Sequence, residues 1–298
     1  LPEGIHFQIE RERLGHVSVL EEIEKRVPLH HIELVALAYS MGDGIDAITP
    51  IHKVENRGQL EKTTGEFVGG GTRVFDGIAS SDLPAVLIPG LHRGTPCLDP
   101  RFRALYSHMA SSEKVGLGYH ACLETGAENI IVADISSNTV TIGIKEGRFF
   151  GAVDACLGAP GILHGPLDLE AIRRIDSGKI SANRAFYSMG VKRIGDSDEA
   201  DDILEGRTEG DHLARDALTM AAEMEIRGFL PLIEPDAIAI AGSAGIHEEV
   251  FSRLMASLEE TAPLHRLDLY AAATGAAEIA RDILKGKKGF LGIEYRGD

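Results

Sequence analysis

The run of residues 130–161, IIVADISSNTVTIGIKEGRFFGAVDACLGAPG, constrains the fold of this chain more than any other stretch. Four apolar residues from Ile130 lead to Asp134, and Ser136, Ser137, Asn138 and Thr139 follow within a few positions. Val140, Ile142 and Ile144 then alternate with Thr141 and Gly143, and Lys145-Glu146-Gly147 turns the chain into Phe149-Phe150. Alternation with period two marks a strand, and the polar interruption marks a tight turn between two of them. Turn amides and hydroxyls point where no bulk intrudes, so the turn is expected to cradle an anion, and phosphates are the expected occupant.

A second such feature lies downstream. The apolar run 237–241 ends in Gly242-Ser243-Ala244-Gly245, and a helix with Val250, Phe251, Leu254 and Leu258 facing inward should follow. Strand, small-residue turn and helix N-terminus form an anion or nucleotide site, because a flat ring can approach glycine backbone closely. Gly158-Ala159-Pro160-Gly161 is another small-residue turn, and it adds Gly158 to the expected cofactor contacts. The alanine-rich helix at 269–284 has Gly275 inside it, which implies close contact with another element, expected at an interdomain seam.

The remaining chain reads as alternating strands and helices. A strand is expected over 1–9, and Ser18 with Glu21 forms a capping-box pattern before a helix with Val17, Leu20, Ile23 and Val27. The strand at 32–39 runs into Ser40-Met41-Gly42-Asp43-Gly44, which reads equally as a ligand-facing loop or as a plain turn. Residues 52–81 read as a glycine-rich loop around Gly69-Gly70-Gly71-Thr72, without the spacing of a known phosphate loop. After a strand at 85–88, His92 and Arg93 sit at its end, and Arg93 is the expected anion contact. Asp99-Pro100 opens a helix to about residue 110, and a second helix runs from 112 to 126. Short helices are expected at 168–178 and 181–190. The stretch 196–211 has eight acidic residues against one arginine and reads as a solvated loop. In the helix at 211–228, Leu213, Ala217, Ala221 and Met224 form the apolar face expected to pack in the core.

Charge excludes some functions. A net charge of −16 argues against nucleic acid or an anionic membrane as the main partner. No apolar run reaches transmembrane length. Cys97, Cys122 and Cys156 lack CxxC spacing, so neither a disulfide framework nor a zinc site is indicated, which fits a reducing cytoplasm.

The order of these parts resembles the actin-like ATPase, sugar kinase and Hsp70 superfamily. That resemblance implies an α/β fold of two ribonuclease-H-like domains with an interdomain nucleotide cleft. The first domain would be 1–127, completed by 266–298, and the second 128–265. Residues 134–139 match the second phosphate motif, 242–245 the adenosine motif, and the helices at 113–125 and 269–284 the connecting elements. The region from DPRFRALYSHMASSEKVGLGYHA to IIVADISSNTVTIGIKEGRF looks like acetate and butyrate kinases. GGGTRVFDGI, IPGLHRG, YSHMASSEKVGLGYHA and ADISSNTVTIGIKEGRFFGAVDACLGAPGILHGPLDLEAIRRI resemble the methanogenesis marker protein 12 family more closely.

The resemblance implies ATP and Mg2+, with Asp134 as metal ligand and Asp134, Asp43 and Arg93 as catalytic residues. Ser136, Ser137, Asn138, Thr139, Gly158, Gly242, Ser243 and Gly245 would bind the nucleotide. It departs from the carboxylate kinases at Ser136-Ser137-Asn138, where they carry glycines. Three readings of function stay open. One is an ATP-dependent phosphotransferase or ATPase, and another is a nucleotide-gated assembly or activation factor for a methanogenesis enzyme. The third is a fold kept without nucleotide. A methanogenesis enzyme or its assembly factors, and a second copy in a homodimer, are the macromolecular partners to test.

Overall fold

The computed structural model describes residues 4–10, 13–39, 43–59 and 70–297. The backbone gathers into two compact units: Leu1–His120 with Tyr270–Asp298, and Ala121–Leu269.

In the first unit, residues 4–9 have no regular structure, contrary to the strand expected there. No strand pairs with them among the described residues, and Phe7 lies instead beneath the Arg26 guanidinium, 4.4 Å from it. Helix α1 (Val19–Glu24) follows Ser18, whose side chain makes no capping bond, so the capping box does not form. Strand β1 (Val35–Ala38) is half-buried. Strand β2 (Thr49–Pro50) comes next, and then α2 (Gly70–Ala79). The stretch expected to be a loop thus becomes a helix from Gly70, because Phe75 and Ile78 pack with Val19 and Tyr39 in one apolar cluster. Ser40, Met41, Gly42 and Gly69 lie outside the described residues.

Strand β3 (Ala85–Ile88) pairs in parallel with β1 and antiparallel with β2, so the sheet order is β1-β3-β2. Strand β4 (Leu91–His92) follows. Asp99 caps α3 (Pro100–Leu105) by accepting from the Arg101 amide. That helix stops five residues earlier than expected, because β5 (His108–Ala110) pairs with β4 across Leu91 and Ala110. Helix α4 (Ser112–Thr125) then leads to the second unit.

The second unit is built on a meander of β6 (Ile130–Ile135), β7 (Thr139–Lys145) and β8 (Arg148–Val153). Glu146 and Gly147 have φ of 53° and 66°, the left-handed pair that a two-residue hairpin turn of the right twist requires. Short helices α5 (Leu169–Asp176) and α6 (Ala182–Phe186) follow, capped by Asp168 and Ser181. The second is shorter than expected, and Met189 beyond its end packs against Ala171 and Ala185.

The acidic run is not a plain solvated loop. Helix α7 (Ala200–Glu205) forms inside it, ended by Gly206 in the left-handed conformation. Asp211 is fully buried in the next helix, α8 (Glu209–Phe229), where it accepts from the amides of Asp196 and Ser197 and from the Ser197 hydroxyl. The core face of α8 is also the opposite of the one expected. Leu213 and Met224 are 61% and 67% exposed, while Ala214, Leu218, Ala222, Ile226 and Phe229 are buried.

Strand β9 (Ala237–Ala241), helix α9 (Glu248–Leu258) and strand β10 (Leu264–Arg266) complete a sheet of order β10-β9-β6-β7-β8. β6, β9 and β10 run parallel, and β7 and β8 are antiparallel additions. Val250, Phe251, Leu254 and Leu258 face inward as expected.

The chain returns to the first unit through α10 (Ala271–Leu284) and the small pair β11 (Gly289–Phe290) and β12 (Ile293–Glu294). A Cβ on Gly275 would overlap the Gly116 carbonyl, so α10 and α4 touch backbone to backbone. Gly116 and Gly275 both belong to the first unit. No helix among the described residues is long and apolar enough to cross a membrane.

Candidate functional site

The candidate site in the second unit is the end of β6 and the turn into β7. Asp134 is the fifth residue of β6, 8% exposed, and stands between Val140 of β7 and Ala241 of β9 in the ladder. At the turn, the Ser136 amide donates to the Asn138 carbonyl at 2.8 Å, closing it tightly. None of Ser136, Ser137 and Asn138 has positive φ, so the turn needs no glycine at these positions. That is the physical reason side chains can stand where the carboxylate kinases carry glycine.

The turn is gripped from behind by the segment 159–164. The Ser136 carbonyl accepts from the Ile162 amide at 2.9 Å, and the Ser137 carbonyl accepts from the Leu163 and His164 amides at 3.0 and 2.8 Å. Gly161 lies flat on Asn138, where a Cβ would come within 2.6 Å of backbone. Among the described residues the amides of Ser137 and Asn138 donate to no carbonyl. The turn thus has tied carbonyls and two uncommitted amides on a partly exposed surface, a donor set of the kind that can face an anion.

The small-residue turn after β9 is tied to the same strand end. The Ala244 and Gly245 amides donate to the Ile135 carbonyl at 3.0 and 2.8 Å. Gly242 has φ of 82° and presses on Asp134 and Ile135, leaving no room for a side chain. Ser243 is exposed, whereas Gly245 is buried against Ile240 and Ile135.

The residues expected to bind nucleotide therefore divide. Ser136, Ser137, Asn138, Gly242 and Ser243 lie just beyond the ends of β6 and β9, where the chain reaches the surface. Thr139, Gly158 and Gly245 serve the framework behind them. The fully buried Thr139 hydroxyl donates to the Pro160 carbonyl at 2.8 Å. Gly158 leaves a notch filled by the Glu225 carboxylate, which accepts from the Ala159 amide at 2.6 Å.

Asp43 and Arg93 belong to the first unit. The Asp43 Oδ2 lies 2.7 Å from His108 Nδ1, while its Oδ1 is buried beside Gly90 and accepts no hydrogen bond among the described residues. Arg93 is exposed after β4, and its carbonyl accepts from Arg103 Nε at 2.8 Å. His92 is fixed by the Ile45 carbonyl at 2.9 Å, a structural role.

Two residues of the second unit escape sequence reasoning. Gly161 is visible only as part of a small-residue turn, and nothing in the sequence says that it meets Asn138. Glu225 sits in an amphipathic helix, where a glutamate reads as solvated. Burial raises its carboxyl to about 7, against the pull of the hydrogen bond from the Ala159 amide, and the Asp154 charge adds to the rise.

No group of three or more His, Cys, Asp or Glu side chains among the described residues could hold a metal ion. Mg2+ is commonly held by one or two carboxylates together with phosphate oxygens, and the Asp134 carboxylate at the end of β6, next to the 136–138 turn, is a residue of that chemical type.

No protein-family model matches the chain. Two solved structures share its fold at low sequence identity. A propionate kinase from Francisella tularensis matches with a TM-score of 0.62 and 11% identity, over 86% of this chain and 82% of that one. The acetate kinase of Porphyromonas gingivalis matches with a TM-score of 0.56 and 12% identity, over 84% and 77%. The chain thus shares its fold with acetate and propionate kinases. A UPF0285 protein of Methanocaldococcus jannaschii is 48% identical over 97% of this chain and 92% of its own length. The chain belongs to the UPF0285 family.

Proposed function

We propose that this protein binds ATP with Mg2+ and uses it for phosphoryl transfer or hydrolysis. The phosphates would seat on the 136–138 turn and the adenosine against Gly242 and Ser243. The observation that supports this reading is the pair of uncommitted amides at Ser137 and Asn138. Fixed amides stabilise phosphate oxygens without reorganising as charge shifts during transfer. The hydroxyls of Ser136 and Ser137 add donors to that set. Asp134 would hold the ion, which supplies charge neutralisation at the phosphates when bound. Asp43, oriented by His108, would position the acceptor or water, and Arg93 would offset negative charge.

Calorimetric titration with MgATP tests the binding. Saturable heat is expected, lost in Asn138→Pro, which removes one amide, and only weakened in Ser137→Ala, which keeps both amides and loses one hydroxyl. Absence of binding at millimolar nucleotide sinks the reading. ADP release in the presence of acetate, propionate, butyrate or water alone then identifies the acceptor.

A second reading has its own support. Leu213, Met220 and Met224 form an exposed apolar stripe on α8, suited to a protein partner. Together with the likeness to methanogenesis marker protein 12, it favours a cytoplasmic assembly factor that acts on a methanogenesis enzyme. Affinity capture from a methanogen with and without ATP checks this reading, and nucleotide-independent recovery of nothing counts against it.

A further inference from the structure

The 158–164 segment ties the turn from behind, and one side chain anchors that segment. Glu225 Oε2 accepts from the Ala159 amide at 2.6 Å and fills the notch at Gly158. From Ala159 the chain passes directly to Pro160, whose carbonyl holds the Thr139 hydroxyl, and to Gly161, which lies on Asn138. Ile162, Leu163 and His164 then donate to the carbonyls of the turn. A displacement at Ala159 is therefore passed to the 136–138 turn through covalent neighbours and short hydrogen bonds.

We infer that Glu225 is the positioning residue of this turn, holding it through the 158–164 segment, and that loss of the Glu225 proton loosens the hold. The inference rests on the phosphate-binding reading only for its consequence; the mechanical link stands without it.

The groups facing Glu225 explain the response. From β7 comes Thr141, fully buried, and from the loop come the Ala159 amide and the Asp154 carboxylate. Along α8, Arg227 pairs with Glu223 at 2.7 Å and with the Ser257 carbonyl at 2.6 Å. Glu225 Oε1 is buried and accepts no hydrogen bond among the described residues. An anion in this place is poorly compensated, and its carboxyl titrates at about 7 instead of the ordinary 4.5. Any opening that admits water restores the ordinary value, so ionisation favours the opened segment. The opening equilibrium should rise about tenfold between pH 6 and pH 8.

Amide hydrogen exchange of the ligand-free protein, corrected for intrinsic rates, tests this. In wild type, protection of residues 136–138 and 158–164 should fall about tenfold from pH 6 to pH 8. In Glu225→Gln the two pH values should give equal protection, because glutamine keeps the acceptor for Ala159 and does not titrate. A flat wild-type profile, or the same fall in both proteins, overturns the inference. Should Glu225→Gln not fold, the wild-type profile alone decides, by whether the fall in protection levels off above about pH 7. A parallel calorimetric arm compares MgADP affinity of the two proteins at both pH values, and wild type should weaken relative to the variant. Exchange that responds without any nucleotide binding leaves the strut standing and removes the phosphate reading. Binding with unresponsive exchange does the reverse.

Discussion

Both units contain a strand, a helix and a second strand parallel to the first: β1-α2-β3 in one, β9-α9-β10 in the other. The difference lies at the far edge of the leading strand. β9 pairs there with β6, which continues into β7 and β8, whereas β1 has no strand on that edge among the described residues. A groove of about 800 Å³ runs beside β1 instead, lined by Phe7, Ile23, Ala276 and Ala280 among others. In the second unit the strand ends are therefore cross-tied: the small-residue turn after β9 bonds to the end of β6, and the turn after β6 bonds to the loop after β8. A strand-end turn is fixed when neighbouring loops supply bonds for its carbonyls and leave its amides over.

The largest effects should come from backbone contacts that admit no side chain. Gly275→Ala drives a methyl into the Gly116 carbonyl and should destabilise the first unit by about 3 kcal/mol, since backbone cannot give way as a side chain would. Urea unfolding measures this, and exchange of residues 136–138 should not change. Gly161→Ala is the corresponding test in the second unit: similar destabilisation is expected, together with loss of protection at the turn itself. If both variants disturb the turn equally, the contrast between the units fails.

Glu225→Gln comes next. The Glu225 carboxyl is raised in the folded protein, so its stabilising contribution is complete below about 4.5 and disappears as pH rises through about 7. Against wild type, the variant should gain up to about 3 kcal/mol on going from pH 4.5 to pH 8, because each tenfold change in proton affinity is worth about 1.4 kcal/mol. Thermal unfolding across that range checks the sign. Thr139→Val removes the bond to Pro160 and should cost about 1 kcal/mol. Arg93→Ala, on the exposed surface of the first unit, should change stability by less than about 0.5 kcal/mol. A larger loss would show that the first unit, too, depends on its strand-end residues.

Much of this architecture is legible in the residues. The alternation in β7, the Glu146-Gly147 turn and the Asp99-Pro100 cap all rest on local rules, and the structure follows them. The apolar face of α8 is where local rules fail. Leu213, Ala217, Ala221 and Met224 make a convincing stripe, yet the buried face includes Asp211 and Arg215. Those polar residues go inside because backbone elsewhere needs partners. Asp211 takes the amides at 196 and 197, and Arg215 Nη1 donates to the carbonyls of Leu204 and Glu205 at 3.2 and 2.8 Å. A buried ion that satisfies distant backbone has no periodic signature. Glu225 is hidden for the same reason: its acceptor role depends on Ala159, which is 66 residues away. The turn at 136–138 is legible as a turn, but that its carbonyls are held depends on the amides at 162–164.

The register of the second sheet also sets an order in time. β6, β7 and β8 follow one another directly, so their pairings close short loops, and a hairpin of this kind forms in about 1–10 μs. β6 meets β9 only across 107 positions, from Ile130 to Ala237, and that closure carries the entropy of the whole intervening chain. On a chain emerging from the ribosome, β6, β7 and β8 and the 136–138 turn between the first two are all made before the strand that closes the sheet against β6, so the meander is free to pair while β9 is still unsynthesised.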